Sequence, residues 1–217
     1  MGIDAHSITI VGCGPGAADY VTPIARSIVR EAGVIAGSQK LIDLFPESRA
    51  AHIPLSASIE NFLDEIEMVR RERDIVVLTT GDPGFMSIAK PVIKRFGRNV
   101  CRIIPGISSL QTAFSRLGLD WFDVLVIDAH SGPPDENYKA IESASKIAVF
   151  TGKQDSLKWA ASLAHKFGDL FRVFICSDLT LGTERVREIE AQTLACEDHP
   201  LLSIVIFVRK EVYHENR

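Results

Sequence analysis

The hydrophobic positions in the first half of the chain follow two alternating patterns. Short continuous apolar runs, such as Ile75-Val76-Val77-Leu78, are typical of strands buried on both faces of a parallel sheet. Longer stretches between them have apolar residues three or four positions apart, which predicts amphipathic helices. The clearest of these runs from Ile59 to Arg73 and follows Ser58, a good N-cap. The alternation predicts a mostly parallel sheet with helices on both faces.

The pattern changes in the second half of the chain. Strands are again predicted, at residues 124–128, 146–150, 171–176, 185–190 and 203–209. The last two are joined by little predicted helix, which favours antiparallel pairing and a mixed sheet. The register of elements restarts after Gly118. We therefore predict two α/β domains, an N-terminal domain over residues 1–118 and a C-terminal domain over residues 119–217.

Three predicted strands of the first domain end in loops rich in glycine and proline. The first loop is Gly12-Cys13-Gly14-Pro15-Gly16, the second is Thr79-Thr80-Gly81-Asp82-Pro83-Gly84-Phe85, and the third is Pro105-Gly106-Ile107-Ser108-Ser109. Glycine lets a backbone approach a ligand closely or adopt a positive φ. In open α/β sheets, ligands bind just beyond the carboxyl ends of the strands. The three loops therefore predict a small-molecule site at this edge of the sheet.

The first loop does not match a dinucleotide-binding fingerprint. Its third glycine, Gly16, comes one residue too early for G-x-G-x-x-G. The acidic residue expected at the end of the next strand is also missing, since that strand is Val34-Ile35-Ala36-Gly37. NAD or FAD binding is therefore disfavoured. A tight structural turn and a non-catalytic nucleotide-binding module remain as alternatives.

The polar residues of the second and third loops suit binding better than acid–base chemistry. Asp82 is placed to accept backbone N–H groups within its turn, which would hold the loop open for a ligand. Ser108 and Ser109 begin a predicted helix, whose first N–H groups are free to bind a polar ligand group. No G-x-S-x-G elbow is present, so a nucleophilic serine is not predicted.

Composition narrows the classes of partner. The formal net charge of −4 and the scattered cations give no basic patch for nucleic acid. The 4 cysteines form no C-x-x-C pair, which favours reduced thiols over a metal site or disulfides. No apolar run approaches the ~20 residues of a membrane helix, and no signal peptide is recognisable. We expect a cytoplasmic protein that binds neither membrane nor metal.

The three loops, taken together in order and spacing, resemble the tetrapyrrole methylases. The motifs are Val11 to Gly16 followed by Val21-Thr22, then Thr80-Gly81-Asp82-Pro83, then Ile104 to Ser109. This family comprises S-adenosylmethionine-dependent methyltransferases with two α/β domains. Thr80 to Phe85 and Asp128-Ala129-His130-Ser131-Gly132 look most like the precorrin and cobalt-precorrin C5-methyltransferases of cobalamin synthesis. Members of that subgroup often have Ser-x-His-Gly-Arg at the latter point, and the arginine is absent here.

The resemblance implies S-adenosylmethionine as cofactor, bound in a cleft between the domains with the tetrapyrrole over the first-domain loops. It implies that His130 is a candidate to accept the proton that the methylated macrocycle must lose. The cofactor contacts carried over from the family are Pro15, Thr80, Gly81, Asp82, Phe85, Ser108, Ser109, Thr151 and Leu179.

The resemblance also implies a homodimer and a tetrapyrrole substrate that carries several carboxylates. Lys90, Arg116 and Lys153 are candidates to bind them because they lie near loops. We expect a separate enzyme to carry out the C15 methylation and decarboxylation of the same pathway. Other family activities remain alternatives, namely methylation of uroporphyrinogen-III or of another precorrin, or a diphthine synthase-like reaction; the lack of a basic surface argues against an rRNA substrate.

Overall fold

The computed structural model describes residues 6–134, 138–196 and 199–215. The chain divides into two compact units, Met1–Ser109 and Leu110–Arg217. This division falls at the start of a helix that runs from Ser109 to Leu117. The sequence placed the domain boundary near residue 118, at the other end of that helix, and that boundary stays a prediction.

The first unit is built on a parallel sheet. Its strands in the described residues are β1 (Ile8–Gly12), β2 (Val34–Gly37), β3 (Ala51–Pro54), β4 (Ile75–Thr79) and β5 (Cys101–Ile104). They lie in the order β3-β2-β4-β1-β5, and each neighbouring pair is parallel. The accompanying helices are α1 (Pro23–Glu31), α2 (Gln39–Ile42), α3 (Ile59–Val69) and α4 (Ala89–Phe96).

Alternate residues of the central strand β4 serve two separate cores. Ile75 and Val77 pack in one apolar cluster with residues of α3 and α4. Val76 and Leu78 pack in another cluster, with residues of α1 and α2. Because both faces of the strand are covered, its sequence is continuously apolar, as predicted. The parallel sheet with helices on both faces is confirmed.

Capping residues predicted the starts of two helices correctly, whereas the end of one helix was predicted too far along the chain. Thr22 accepts a hydrogen bond from the amide of Ala25 at 3.3 Å, which confirms it as the cap of α1. Ser58 caps α3 in the same way. Helix α3 ends at Val69, whereas the prediction extended to Arg73. The stretch from Arg70 to Arg73 has no apolar side chain with which to pack a further turn against the core.

Strand β3 was not predicted because its sequence lacks a strand pattern. It is the edge strand beside β2, and only Ile53 of its four residues is buried. Its last residue is Pro54, and a proline in a short apolar run argues against a strand. This strand therefore forms because it pairs with β2, and its own sequence does not indicate that pairing.

The second unit has the mixed sheet that the sequence predicted. Its strands in the described residues are β6 (Leu125–Ala129), β7 (Lys146–Thr151), β8 (Phe171–Ser177), β9 (Arg185–Glu188) and β10 (Ser203–Arg209). The order is β6-β7-β10-β8-β9; β6 and β7 are parallel and the other pairs are antiparallel. The helices are α5 (Ser109–Leu117), whose first residue belongs to the first unit, α6 (Tyr138–Ser143), α7 (Gln154–Phe167), α8 (Ala191–Cys196) and α9 (Lys210–Glu215). The short helix α8 between β9 and β10 was not predicted.

Candidate cofactor site

The first and second loops are joined directly through their backbones. Gly14 and Gly81 form an antiparallel bridge, in which the Gly81 amide donates to the Gly14 carbonyl at 2.8 Å. The Cys13 amide donates to the carbonyl of Thr79 at 2.9 Å. Gly14 and Gly81 have φ values of 78° and 67°, a region that favours glycine. The glycines are thus required by the conformation of the bridge.

The third loop approaches the other two so closely that no side chain fits between them. A Cβ atom added to Gly106 would lie 2.3 Å from the Gly81 carbonyl oxygen and 2.8 Å from the Gly12 Cα atom. A Cβ atom on Gly12 would lie 2.6 Å from the Gly106 nitrogen. The three loops therefore meet at the level of their backbones, and they form one contiguous feature at the carboxyl edge of the first sheet.

Asp82 links the second and third loops with its side chain. One carboxylate oxygen accepts the Gly84 amide at 2.8 Å, and the other accepts the Gly106 amide at 3.0 Å. Both oxygens are therefore engaged in holding backbone groups. Asp82 therefore holds the second and third loops together. It is poorly placed to act as a general base, as the sequence suggested.

All seven predicted cofactor residues of the first unit lie on these loops. Thr80 is exposed, Pro15 and Phe85 are half-buried, and Ser108 is buried. Ser109 is the first residue of α5, and no hydrogen bond within the described part of the chain reaches its amide. The site thus offers glycine-lined backbone and a free helix N–H group, which fit the polar edges of S-adenosylmethionine.

Two further features of this site were not predicted from the sequence. Met86 has a φ of 45° and is 43% exposed, an unusual backbone conformation for a bulky residue directly after the second loop. Thr79 is 2% exposed, and its hydroxyl has no hydrogen-bond partner within the described residues. Nothing in the local sequence signals either feature, because neither residue type by itself indicates a positive φ or an unpaired hydroxyl.

The candidate residues of the second unit lie at one edge of its sheet. Ala129 pairs with Thr151 at the carboxyl ends of β6 and β7, so His130 and Gly152 leave the sheet side by side. A Cβ atom on Gly152 would lie 2.5 Å from the His130 carbonyl oxygen, which explains the glycine there. Leu179 follows β8, whose last residue pairs with the first residue of β10 at this same edge. The topology thus brings together His130, Thr151 and Leu179.

The Thr151 side chain is fully occupied within the protein. It is 1% exposed, and its hydroxyl lies 2.7 Å from the Leu201 carbonyl and 3.0 Å from the Ser203 carbonyl. The same hydroxyl accepts the Ser203 amide at 3.2 Å. Its side chain therefore fastens β7 to the start of β10, and a ligand contact here would involve the backbone.

The His130 ring is exposed and oriented by two neighbours. Its Nδ1 atom lies 3.3 Å from a carboxylate oxygen of Asp128, which also accepts the His130 amide at 3.1 Å. The ring stacks on Phe150 with centroids 6.4 Å apart and an interplanar angle of 17°. A carboxylate partner that fixes one ring nitrogen leaves the other available to exchange a proton. The geometry is compatible with the predicted proton-handling role.

The three candidate cations differ in their surroundings. Arg116 donates through Nε to Glu184 at 2.7 Å, and this contact lowers the pKa of the Glu184 carboxyl. It is therefore committed to an internal ion pair. Lys90 and Lys153 are exposed, and no acidic partner reaches either of them in the described ranges. These two lysines remain candidates for substrate carboxylates.

Comparisons with known proteins agree with the loop motifs. The chain is 28% identical over 200 residues to the cobalt-precorrin-7 C(5)-methyltransferase of Salmonella typhimurium, which covers 92% of this chain and 98% of that protein. The structure of a cobalamin-biosynthesis precorrin-6Y methylase from Archaeoglobus fulgidus is 27% identical, with a TM-score of 0.73, and covers 95% of this chain and all of that one (100%).

A further solved structure establishes likeness of fold alone. It is the uroporphyrin-III C-methyltransferase of Thermus thermophilus complexed with S-adenosylhomocysteine, at 16% identity and a TM-score of 0.76 over 93% of this chain and 97% of that one. Across the described residues, no helix has the length and apolar character to cross a membrane. The sequence model of the tetrapyrrole (corrin/porphyrin) methylases matches residues 7–195. The family expected from the motifs is therefore confirmed, and this chain belongs to the tetrapyrrole methylases.

Proposed function

We propose that this chain is an S-adenosylmethionine-dependent methyltransferase of cobalamin (corrin ring) biosynthesis that methylates C5 of a precorrin or cobalt-precorrin. The convergence of the three glycine loops at the carboxyl edge of the first sheet carries the proposal for the cofactor. The C5 position rests on the name of the Salmonella relative, which the chain matches along nearly its whole length.

The proposed cofactor contacts are those predicted from the sequence. In the first unit they are Pro15, Thr80, Gly81, Asp82, Phe85, Ser108 and Ser109. In the second unit they are Leu179 and the backbone of Thr151. Asp82 acts by fixing the loop that the cofactor would contact, since both of its oxygens hold amides of the protein. Bound S-adenosylmethionine supplies an electrophilic methyl group.

The residues of the site favour catalysis by positioning. Holding two reacting groups in line can lower a barrier by about 7–11 kcal/mol without any acid or base. The loops consist largely of glycine, proline and backbone held rigidly by the Gly14–Gly81 bridge and by Asp82. Such a rigid surface can fix the orientation of a bound molecule at little cost in side-chain entropy.

We propose His130 as the residue that accepts the proton lost after methyl transfer. Its exposed ring and its Asp128 partner support this role. Lys90 and Lys153 would bind substrate carboxylates, because both are exposed cations close to the candidate loops. A His130→Ala variant that turns over as fast as the wild type would remove the histidine from the mechanism.

The proposal also covers the oligomeric state, the enzyme of the C15 step and the cellular location. We propose a homodimer, on the family resemblance. A separate protein would carry out C15 methylation and decarboxylation, since the matched Salmonella relative is named for C5 methylation alone. A cytoplasmic location is supported by four cysteines that are all free thiols in the structure.

The function is tested by incubating the purified chain with S-adenosylmethionine carrying a ¹³C-labelled methyl group and with a precorrin-6 or cobalt-precorrin-7 substrate. We expect one added methyl by mass spectrometry and a single labelled carbon attached to C5 by NMR. A methyl at another ring carbon would reassign the chain to another activity of the family. NAD binding without any methyl transfer would favour the non-catalytic nucleotide-binding module.

A further inference from the structure

A strained turn follows strand β8 in the second unit. The Leu181 amide donates to the Asp178 carbonyl at 3.0 Å, which closes a four-residue turn. Thr180 has a φ of 71° at the third position of this turn. A type II turn requires such a positive φ there and normally uses glycine. A β-branched residue is a true outlier in this region, so other contacts must hold the turn in this form.

Glu184 provides that contact. One of its carboxylate oxygens accepts the Thr180 amide at 2.5 Å. The other oxygen accepts Nε of Arg116 at 2.7 Å, and a second guanidinium nitrogen lies 3.3 Å from the first oxygen. Hydrogen bonds to an ionised carboxylate are stronger than those between neutral groups. Arg116 stabilises the ionised carboxylate and so holds the pKa of Glu184 below its usual range.

The orientation of one peptide group follows from this contact. Type I and type II turns differ mainly by a flip of the central peptide, here the one between Leu179 and Thr180. A trans peptide directs its N–H and C=O groups to opposite sides. Since the Thr180 amide points to Glu184, the Leu179 carbonyl points away from it.

The Leu179 carbonyl has an unused hydrogen-bonding capacity. No hydrogen bond to its carbonyl or amide exists within the part of the chain that the structure describes. Leu179 is only 6% exposed, and buried backbone polar groups are nearly always paired. The turn lies at the same edge of the second sheet as Thr151 and His130. An N–H donor of a ligand would satisfy this carbonyl.

We propose that Glu184 is a positioning residue for the cofactor: it holds the Leu179–Thr180 peptide in the flipped orientation, so that the Leu179 carbonyl accepts a hydrogen bond from an N–H group of S-adenosylmethionine. This inference rests on the proposed function. The cofactor has two such donors, the ammonium group of its methionine part and the exocyclic amine of adenine.

The test measures binding of S-adenosylhomocysteine by isothermal titration calorimetry. Loss of one charge-assisted hydrogen bond that holds the turn should raise the Kd of Glu184→Ala roughly tenfold. Glycine at position 180 adopts a positive φ without strain, so the double variant Glu184→Ala/Thr180→Gly should recover most of the lost affinity. Glu184→Gln, which keeps an acceptor oxygen, should lie between the wild type and Glu184→Ala.

A matched control is available in the same unit. Glu188 accepts Nε of Arg172 at 2.7 Å, an ion pair of similar kind that lies away from the turn. Glu188→Ala should leave the Kd within twofold of the wild type, since Glu188 pairs with Phe174 of β8, well before the turn that begins at Asp178. Far-UV circular dichroism and thermal unfolding confirm that each variant is folded before titration.

The outcomes separate the inference from the function on which it rests. A wild type that does not bind S-adenosylhomocysteine refutes both. A wild type that binds, with a Glu184→Ala variant of equal affinity, refutes the positioning role alone. A loss of affinity that Thr180→Gly does not restore also overturns it, because the strained turn is then not the cause.

The same variants identify the ligand donor. Titration with 5′-methylthioadenosine, which lacks the methionine ammonium group but keeps adenine, is the second arm. A Glu184→Ala effect on both ligands assigns the donor to the adenine amine. An effect confined to S-adenosylhomocysteine assigns it to the ammonium group. Either result supports an acceptor role for the Leu179 carbonyl.

Discussion

Alanine at position 106 tests the backbone convergence that defines the candidate site. The new Cβ atom would lie 2.3 Å from the Gly81 carbonyl oxygen, where ordinary contacts begin near 3.4 Å. The third loop must therefore move by about 1 Å relative to the second, because both obstructing groups are backbone. Such overpacking typically costs ~1–3 kcal/mol of folding free energy.

The movement should damage binding more than folding. Displacing Gly106 stretches its 3.0 Å hydrogen bond to Asp82, and displacing Gly81 disturbs its bridge to Gly14. A misplacement of about 1 Å in a binding site can cost on the order of 100-fold in function. We therefore expect the Kd for S-adenosylhomocysteine to rise by roughly that factor in Gly106→Ala, measured by titration calorimetry at a temperature where the variant is folded.

Gly33→Ala is the matched control for this substitution. Nothing lies within 4 Å of a Cβ atom at Gly33, and its φ is not positive. Its stability should stay within about 0.5 kcal/mol of the wild type and its Kd should be unchanged. A Gly106→Ala variant with wild-type affinity and stability would show that the three loops do not meet as described, and the reasoning would fail.

Three other predictions follow from the same structure. Asp82→Ala should lower the unfolding free energy by roughly 2–4 kcal/mol in urea titrations, because two amides lose a carboxylate acceptor. An unchanged denaturation midpoint would show that Asp82 does not hold the two loops together. Lys90→Gln should raise KM for the tetrapyrrole severalfold while the Kd for S-adenosylhomocysteine stays constant, and equal effects on both would argue against a substrate contact. The pKa of Glu184 is lowered from its ordinary 4.5, chiefly by Arg116, so its contribution to stability is complete above that value and is lost as the pH falls through the folded-state pKa. The stability difference between wild type and Glu184→Gln should thus be flat from about pH 8 to 5 and shrink below about pH 4; a difference that disappears already at pH 6 would refute the assignment.

The sequence predicted the elements whose own residues encode them. The apolar run of β4 is continuous because both faces of the strand are buried, and the Thr22-Pro23 pair carries the cap of α1 locally. The three loops were found as a site because glycine clusters after strands have few other uses. Strand β3 and helix α8 were missed, since pairing and packing rather than local pattern decide them.

Within the site, the sequence indicated which residues lie there but not their hydrogen-bond partners. The sequence suggested that Asp82 caps a turn, yet its bond to Gly106 crosses between loops 24 residues apart. Thr151 was chosen by position, and only the structure reveals that its hydroxyl is used to fasten β10. The flipped peptide at Thr180 has no sequence signal at all, because the glycine that normally marks such a turn is absent.

Titration of the wild-type chain with S-adenosylhomocysteine, followed by competition with NAD, tests the central claim most directly. We predict saturable one-site binding of S-adenosylhomocysteine that NAD does not displace. No heat of binding at millimolar S-adenosylhomocysteine, or displacement by NAD, would contradict the assignment of the three glycine loops to this cofactor.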